Sequence, residues 1–153
     1  ETVGIAIELK TDPLSAPYPA LQEKVLDLVD KHELRRRVRF VSFVPEALER
    51  VRELWPEAPI VAVFHRATLQ MLGGVVKGFE RFRTLPGCII HVERTLHEQC
   101  HELCLELVEP GCLGVGPVNS EEDLRIWLPR PLAQLASDFP DRAVAMRREL
   151  GLA

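Results

Sequence analysis

Short apolar runs alternate with longer amphipathic stretches along almost the whole chain, and this alternation constrains the fold more than any other feature. The apolar runs over 3–9, 38–43, 60–64 and 88–92 are rich in β-branched residues and therefore predict strands. The run over 60–64 is almost continuously apolar, which is typical of a strand covered on both faces of a parallel sheet. The stretches between the runs carry apolar residues at helical spacing and therefore predict helices.

Each predicted helix has an apolar stripe that should face the core. In the first helix, over 20–34, this stripe consists of Leu21, Val25, Leu28 and Val29. A second helix begins at Pro45, which suits a first helical turn, and its inward residues are Leu48, Val51 and Leu54. The segment 66–83 is ambiguous, because its helical pattern is weakened by Gly73, Gly74 and Gly78.

The second half of the chain continues the alternation. We predict a helix over 95–108, strand-like residues over 111–118, a helix start at Ser120, a short strand over 132–136 and a terminal helix over 140–150. Five or six βα units in a row imply a parallel sheet, because parallel strands need helical crossovers.

Two architectures accept this order of elements, an open doubly wound sheet and a piece of a (β/α)8 TIM-like barrel. The open sheet usually binds its ligand through a glycine-rich first turn, whereas the first strand here ends in Glu-Leu-Lys-Thr at 8–11. The barrel is therefore favoured. A complete barrel needs ~250 residues, so we expect the chain of 153 residues to form a single domain that supplies a little over half of one.

Composition narrows the class of protein further. The chain has 19 Lys and Arg against 23 Asp and Glu, a net charge of −4, which argues against nucleic acid as a partner. No apolar run approaches the ~18–20 residues of a membrane span. The four cysteines contain no C-x-x-C pair, so we expect reduced thiols in the cytoplasm. The sequence starts at Glu1 without an initiator Met, which leaves a removed leader open.

Glu8 and Lys10 form the first candidate site. They lie two residues apart at the end of the first predicted strand, so their side chains point to one side of the sheet, opposite to Val3, Ile5 and Ile7. At the mouth of a barrel a carboxylate can bind a hard divalent cation and a lysine can meet a phosphate oxygen. A plain Glu–Lys pair on an exposed edge strand explains the spacing equally well, so both interpretations stay open.

Four segments carry a resemblance to a known family. Residues 5–10 (IAIELK) resemble the "IElK" strand of the glycerophosphodiester phosphodiesterase family. Residues 38–56 are similar to the family's "v-x-i-S-S-F … a-L … l-r … P" block. Residues 115–119 (VGPVN) stand where the family has "x-W-T-V-N", and 136–141 (ASDFPD) stand where it has "i-T-D-x-P". Each match is short, but all four occur in the family's order and together they cover essentially the whole chain.

This resemblance implies the last five or six βα units of a (β/α)8 barrel, so that 1–153 would be the C-terminal portion of the domain. It implies an enzyme of lipid metabolism that hydrolyses a small-molecule glycerophosphodiester to an alcohol and glycerol phosphate, assisted by a divalent cation such as Mg²⁺ or Ca²⁺. Glu8 matches a metal ligand of the family, and Lys10 matches a lysine in its phosphate site. Ser42 and Phe43 would line the substrate pocket, and Asn119 matches the last residue of the "WTVN" block.

The chain also departs from the family's pattern. The catalytic histidines of the "H-R-G" and "H-D" strands and the carboxylates of the "E-x-D" strand have no counterpart, so we expect them upstream of Glu1 and assign no catalytic residue to this segment. Gly116 replaces the tryptophan of the "WTVN" block. The alternative is a catalytically inactive homologue that acts as a scaffold or interaction module. An incomplete barrel would also leave its first strand unpaired, which predicts self-association through that strand.

A competing motif occurs at 97–101, where His-Glu-Gln-Cys-His satisfies the H-E-x-x-H pattern of zinc hydrolases, with Cys104 or Glu122 as a third ligand. This segment, however, lies in a predicted crossover helix whose core stripe is Leu96, Leu103 and Leu107. We therefore expect both histidines of the motif to face outward and regard zinc hydrolysis as the weaker hypothesis. His65 and His91, at predicted strand ends, are expected to be surface or hydrogen-bonded side chains.

Overall fold

The computed structural model describes residues 3–12 and 16–152. The described residues form six strands, which are β1 (Ile5–Glu8), β2 (Val38–Ser42), β3 (Ile60–Phe64), β4 (Cys88–Glu93), β5 (Leu113–Gly116) and β6 (Gln134–Leu135). They also form eight α-helices, which are α1 (Leu21–Lys31), α2 (Pro45–Leu54), α3 (Arg66–Met71), α4 (Val75–Glu80), α5 (Arg94–Gln99), α6 (His101–Leu107), α7 (Glu121–Trp127) and α8 (Pro140–Glu149). The predicted alternation of strands and helices is thus confirmed.

The chain divides into two compact units. The first runs to Val63 and includes Thr84–Cys88, and the second holds Phe64–Arg83 and the chain from Ile89 onward. The single domain expected from the sequence stays a prediction. None of the helices in the described part of the chain has the length and apolarity that crossing a bilayer requires.

In the first unit, β1, β2 and β3 pair in parallel and in chain order. Ile5 lies opposite Val38, and Phe40 lies opposite Ile60. Helices α1 and α2 are the crossovers that parallel pairing requires. The core of this unit is fully buried and includes Phe40, Leu48, Val51 and Ile60. Burial of such apolar side chains is the main source of stability of the unit.

The buried stripe of α1 differs from the predicted one. Its buried residues are Gln22, Leu26 and Val29, whereas Leu28 is 55 % exposed. These three follow the i, i+4, i+7 spacing of one helical face. The helix carries adjacent apolar residues, and spacing alone did not decide which of the neighbouring faces packs inward. In α2, Leu48 and Val51 are buried as predicted, but Leu54 in the last turn is partly exposed.

Apolar side chains near the start of the first strand are exposed. Val3 is 75 % exposed and Ile5 is exposed as well, while Leu9, just after β1, is buried. The reason is the position of β1 at the edge of its sheet, where β2 is its partner among the described strands. An edge strand can leave apolar side chains in solvent that a central strand would bury. Self-association through this strand stays a prediction.

In the second unit, β4, β5 and β6 pair in parallel and in chain order. The ambiguous segment 66–83 contains two short helices, α3 and α4, separated by Gly73 and Gly74, whose φ angles are 85° and 110°. Such positive φ angles favour glycine, so the glycines end one helix and start the next. The helix predicted over 95–108 is likewise divided into α5 and α6, at Cys100.

Helices α7 and α8 close a compact cluster in the second unit. Its buried members are Val115, Val118, Leu124, Trp127 and Met146. The predicted cap of α7 is confirmed, since the Ser120 Oγ accepts a hydrogen bond of 3.0 Å from the Asp123 N–H. Two glycines of β5 leave room for close neighbours, since a Cβ atom on Gly114 would lie 2.7 Å from the His91 Nδ1 and one on Gly116 2.7 Å from the Ala136 Cβ.

Candidate active site

The predicted pair of Glu8 and Lys10 is formed in the first unit. The Lys10 Nζ lies 3.7 Å from a carboxylate oxygen of Glu8 at the carboxyl end of β1. The Lys10 side chain is 71 % exposed and the Glu8 side chain 40 % exposed. The contact is therefore an ion pair open to solvent, which contributes little to stability. A ligand can exchange with such a pair at small cost.

A cavity of about 210 Å³ opens beside this pair. Its walls are formed by Glu8, Leu9, Lys10, Thr11, Phe43 and Val44. The structure thus brings Phe43 next to Glu8 and Lys10, and substrate binding by Phe43 stays a prediction. Part of the Phe43 side chain stays exposed, so the cavity combines two charged groups with an aromatic wall.

A second cavity, also of about 210 Å³, shares Lys10, Thr11 and Val44 with the first. It is lined by Lys10 together with residues for which the sequence predicted no role, among them Tyr18, Glu46 and Arg50. Arg50 bonds to Glu53 at 2.7 Å and to Glu23 at 2.6 Å. These hydrogen bonds to Glu53 and Glu23 raise the pKa of Arg50, and the bond from Arg50 lowers the pKa of Glu23. The single tyrosine of the chain, in a proline-rich loop, was the signal that could have pointed here.

Ser42 connects the two backbone segments that line the first cavity. It is buried, its Oγ donates a hydrogen bond of 2.7 Å to the Leu9 carbonyl, and it accepts one of 3.1 Å from the Val44 N–H. Leu9 separates Glu8 from Lys10, and Val44 follows Phe43. The hydroxyl therefore joins the two segments that line the first cavity, without being one of its lining groups. Substrate binding by Ser42 stays a prediction, whereas the geometry gives the hydroxyl a positioning role.

Asn119 belongs to the second unit and joins two motif segments there. Its Oδ1 accepts hydrogen bonds from the Asp138 N–H at 2.9 Å and from the Ser137 Oγ at 3.3 Å. Its Nδ2 donates to the Asp138 carboxylate at 2.7 Å. The residues that resemble the family's "WTVN" and "TDxP" blocks are thus in direct contact. Substrate binding by Asn119 stays a prediction.

Glu93 is a carboxylate at the carboxyl end of β4 that the sequence analysis did not select. Its oxygens accept bonds from Thr95 and from the Leu96 N–H, and so cap α5. Burial works to raise the pKa of Glu93, but the hydrogen bonds from Thr95 and Leu96 outweigh it and lower the pKa. An acid at the carboxyl end of an apolar strand, the position that Glu8 also has, was the available signal.

The H-E-x-x-H segment does not form the predicted outward-facing pair. His97 is fully buried, and its ring lies 4.9 Å from the Trp127 ring and 5.4 Å from the His101 ring, measured between centroids. The reason is that Trp127, at the end of α7, covers His97. Glu98, the base that the zinc mechanism needs, forms an ion pair of 2.9 Å with Arg94 instead.

No group of three His, Cys, Asp or Glu side chains that could hold a metal occurs among the described residues. The zinc hydrolase hypothesis therefore has no support in the described geometry. The same finding bears on the divalent cation implied by the family resemblance. Glu8 can supply one carboxylate, and a single carboxylate does not hold such an ion, so the described residues alone do not fit a complete metal site.

Two further histidines, His65 and His91, are hydrogen-bonded, as predicted. The His65 Nδ1 caps α3 by accepting a bond of 3.0 Å from the Thr68 N–H. His91 is buried in β4, and its Nδ1 lies 3.3 Å from the Gln134 Nε2. Burial lowers the pKa of His91 to about 4. All four cysteines are thiols.

Comparison with known proteins extends the sequence resemblance. The chain matches no protein-family profile. It is 27 % identical over 150 residues to a protein of Bacillus altitudinis named glycerophosphodiester phosphodiesterase. The aligned region covers 95 % of this chain and 56 % of that relative.

Solved structures show the same fold. A candidate glycerophosphoryl diester phosphodiesterase of Agrobacterium tumefaciens superposes with a TM-score of 0.75 and 19 % identity, over 99 % of this chain and 60 % of that one. A glycerophosphodiester phosphodiesterase of Parabacteroides distasonis superposes with a TM-score of 0.66 and 12 % identity, over 97 % of this chain and 58 % of that one. The predicted (β/α)8 fold class is thereby confirmed.

The chain spans little more than half the length of the relatives that it matches. Within that span, the resemblance to the glycerophosphodiester phosphodiesterase family is confirmed over almost the whole chain.

Proposed function

We propose that this chain forms part of an enzyme that hydrolyses glycerophosphodiesters to an alcohol and glycerol phosphate. The observation that carries the proposal is the position of Lys10, which borders two cavities at the carboxyl end of β1 and lies beside Glu8. Barrels of this type hold their active sites at the carboxyl ends of their strands. The name of the Bacillus altitudinis relative supports the choice of substrate.

Lys10 binds the phosphate of the substrate in this proposal. Its ammonium group carries three N–H donors on a flexible stem, which suits contact with phosphate oxygens. Because its ion pair with Glu8 is exposed and 3.7 Å long, a phosphate oxygen can replace the carboxylate as its partner. The aromatic side chains of Phe43 and Tyr18 line the two cavities and exclude water from the adjoining parts of the substrate.

Glu8 serves as one ligand of a divalent cation, either Mg²⁺ or Ca²⁺, in the same proposal. Oxygen ligands are what these hard cations prefer. Since the described residues do not complete a metal site, we derive no step of the reaction through the ion. The proton transfers of hydrolysis are likewise not assigned to described residues. The contribution of this chain is to bind and orient the phosphodiester.

The test is hydrolysis of glycerophosphocholine by the full-length natural protein. Glu8→Gln should abolish metal-dependent turnover, and Lys10→Met should raise KM about tenfold or more, since a charge-assisted hydrogen bond contributes about 1.5–3 kcal/mol. The matched controls are Glu57→Gln and Lys24→Met, which change exposed side chains of the same unit.

Unchanged turnover in Glu8→Gln together with an unchanged KM in Lys10→Met would contradict the proposal. Absence of hydrolysis in the natural protein, with its fold intact, would instead favour the inactive scaffold.

A further inference from the structure

The second unit contains a pocket that the proposed function does not use. It has a volume of about 180 Å³ and is lined by His97, His101, Arg130 and apolar residues that include Leu105 and Leu113. Leu113 begins β5, so the pocket adjoins the amino-terminal end of that strand. The carboxyl ends of strands are where barrels of this type carry out chemistry. The pocket is therefore separate from the carboxyl-end chemistry of its own unit.

Polar atoms without a hydrogen-bond partner in the protein surround this pocket. On the lining residues they are both ring nitrogens of His97, the Nδ1 of His101 and the Nη1 of Arg130. The indole Nε1 of Trp127, whose ring packs on His97 outside the lining, has no partner either. His97 has no solvent exposure at all. A buried polar group that makes no hydrogen bond costs about 1–3 kcal/mol, and four such atoms on three lining residues point to a ligand that pairs with them.

The chemistry of these atoms defines the ligand. The guanidinium of Arg130 and the indole of Trp127 can only donate hydrogen bonds, and each imidazole offers a donor as well. The Arg130 Cζ lies 4.0 Å from the centroid of the Trp127 ring, on which His97 also packs, and both Arg130 and His97 line the pocket. Burial, followed by the positive charges of His101 and Arg130, lowers the pKa of His97 to about 4. A donor-rich, electropositive site favours an anion over a metal cation.

The size and the apolar walls of the pocket limit which anions it can bind. A cavity of about 150 Å³ in another protein holds a benzene molecule, so 180 Å³ leaves room for a ring and one small polar group. The walls opposite the polar atoms are leucine and proline side chains. We propose that this pocket binds a small carboxylic acid, with its carboxylate against Arg130 and His97 and its apolar body against the leucine and proline side chains.

Benzoate is the probe, and the full-length natural protein is titrated with it by calorimetry and by NMR of the imidazole signals. We expect one benzoate per chain, with shifts of the His97 and His101 signals, and at least tenfold weaker binding of the neutral isostere benzamide. Arg130→Met should weaken benzoate at least tenfold, because it removes a charged donor and keeps the apolar stem. The matched control is Arg125→Met on α7, whose guanidinium bonds to Glu149 at 2.8 Å, away from the pocket lining.

Three results would overturn the proposal. The first is no benzoate binding at millimolar concentration, and the second is equal affinity for benzamide, which would make the pocket a plain apolar cavity. The third is stoichiometric Zn²⁺ binding that requires His97 and displaces benzoate, which would make the site a metal site. The comparison of benzoate with benzamide needs no variant, so a misfolded Arg130→Met protein leaves the test decisive.

Discussion

The charged groups of the first unit and the polar groups of the second unit are arranged in opposite ways. Glu8 and Lys10 pair in solvent, beside open cavities, where water already solvates both charges. His97, Trp127 and Arg130 are packed against one another, with nitrogens that no protein group satisfies. The first arrangement can exchange partners at little cost, whereas the second is destabilising until a ligand pairs with it. The exposed pair of the first unit therefore suits rapid exchange of ligands, whereas the buried nitrogens of the second unit suit retention of a ligand.

The largest expected effect is the response of the two units to acid. Burial lowers the pKa values of His91 and His97, both in the second unit, from 6.5 to about 4. Between these values the unfolded chain binds more protons than the folded chain. The contribution of these neutral histidines to the free energy of unfolding is therefore largest above pH 6.5. It falls as the pH drops towards 4, by on the order of 3 kcal/mol per histidine.

Urea denaturation at pH 7.5, 6, 5 and 4 measures this loss. His97→Phe keeps a ring against Trp127 and removes the titration, so it should reduce the slope by roughly half. The control is His32→Gln, an exposed histidine after α1 in the first unit, which should leave the slope unchanged. A pH profile that is identical in all three proteins would show that the buried histidines of the second unit do not control its acid stability.

The next effect concerns the packing of β5 against the segment at β6. A Cβ atom added to Gly116 would lie 2.7 Å from the Ala136 Cβ and 2.9 Å from the Ala136 carbonyl oxygen. Because a backbone atom cannot move aside as a side chain can, Gly116→Ala should lower the free energy of unfolding by about 1–3 kcal/mol. Gly111→Ala, in the same unit, meets no atom within 4 Å and should change it by less than about 0.5 kcal/mol. Equal stability of the two variants in guanidinium denaturation would contradict the close approach.

The smallest effect is expected at Ser42, and it sharpens the positioning role of this residue. Ser42→Ala removes the partner of the Leu9 carbonyl and of the Val44 N–H, and should lower the free energy of unfolding by about 1 kcal/mol. If the hydroxyl also positions Glu8, Lys10 and Phe43, KM for the phosphodiester rises in Ser42→Ala and is restored in Ser42→Thr. Thr68→Val, which removes a buried hydroxyl 2.9 Å from the His65 Nδ1 in the second unit, is the control. A stability loss with an unchanged KM would limit Ser42 to a structural role.

Local chemistry in the sequence predicted most of the elements but not which faces they bury. The strand over 60–64 has the predicted bounds, because a continuously apolar run rich in β-branched residues is typical of a strand buried on both faces of a parallel sheet. Helix α2 begins at Pro45 as predicted. The predicted buried stripe of α1 was wrong, because burial depends on what covers a helix, and the spacing of Leu28 does not show that its side chain is 55 % exposed.

The same distinction holds for the two sites. The period of a strand was enough to predict that Glu8 and Lys10 share one side, and the structure shows them paired. The pattern around His97 led to an outward-facing histidine, because nothing in 97–101 indicates that Trp127, some 30 positions later, packs over its ring. Arg130 and Trp127 carried no motif at all, so the polar pocket could not be read from the sequence.

The sequence by itself determined the βα alternation, the resemblance to the glycerophosphodiester phosphodiesterase family and the pairing of Glu8 with Lys10, because each depends on periodicity or on neighbouring residues. Only the tertiary structure decided that Ser42 joins the cavity walls, that Gly116 must lack a side chain and that His97 is buried beside Arg130. These features are contacts between residues distant in the chain, and their energies come from burial and packing, which no local pattern encodes.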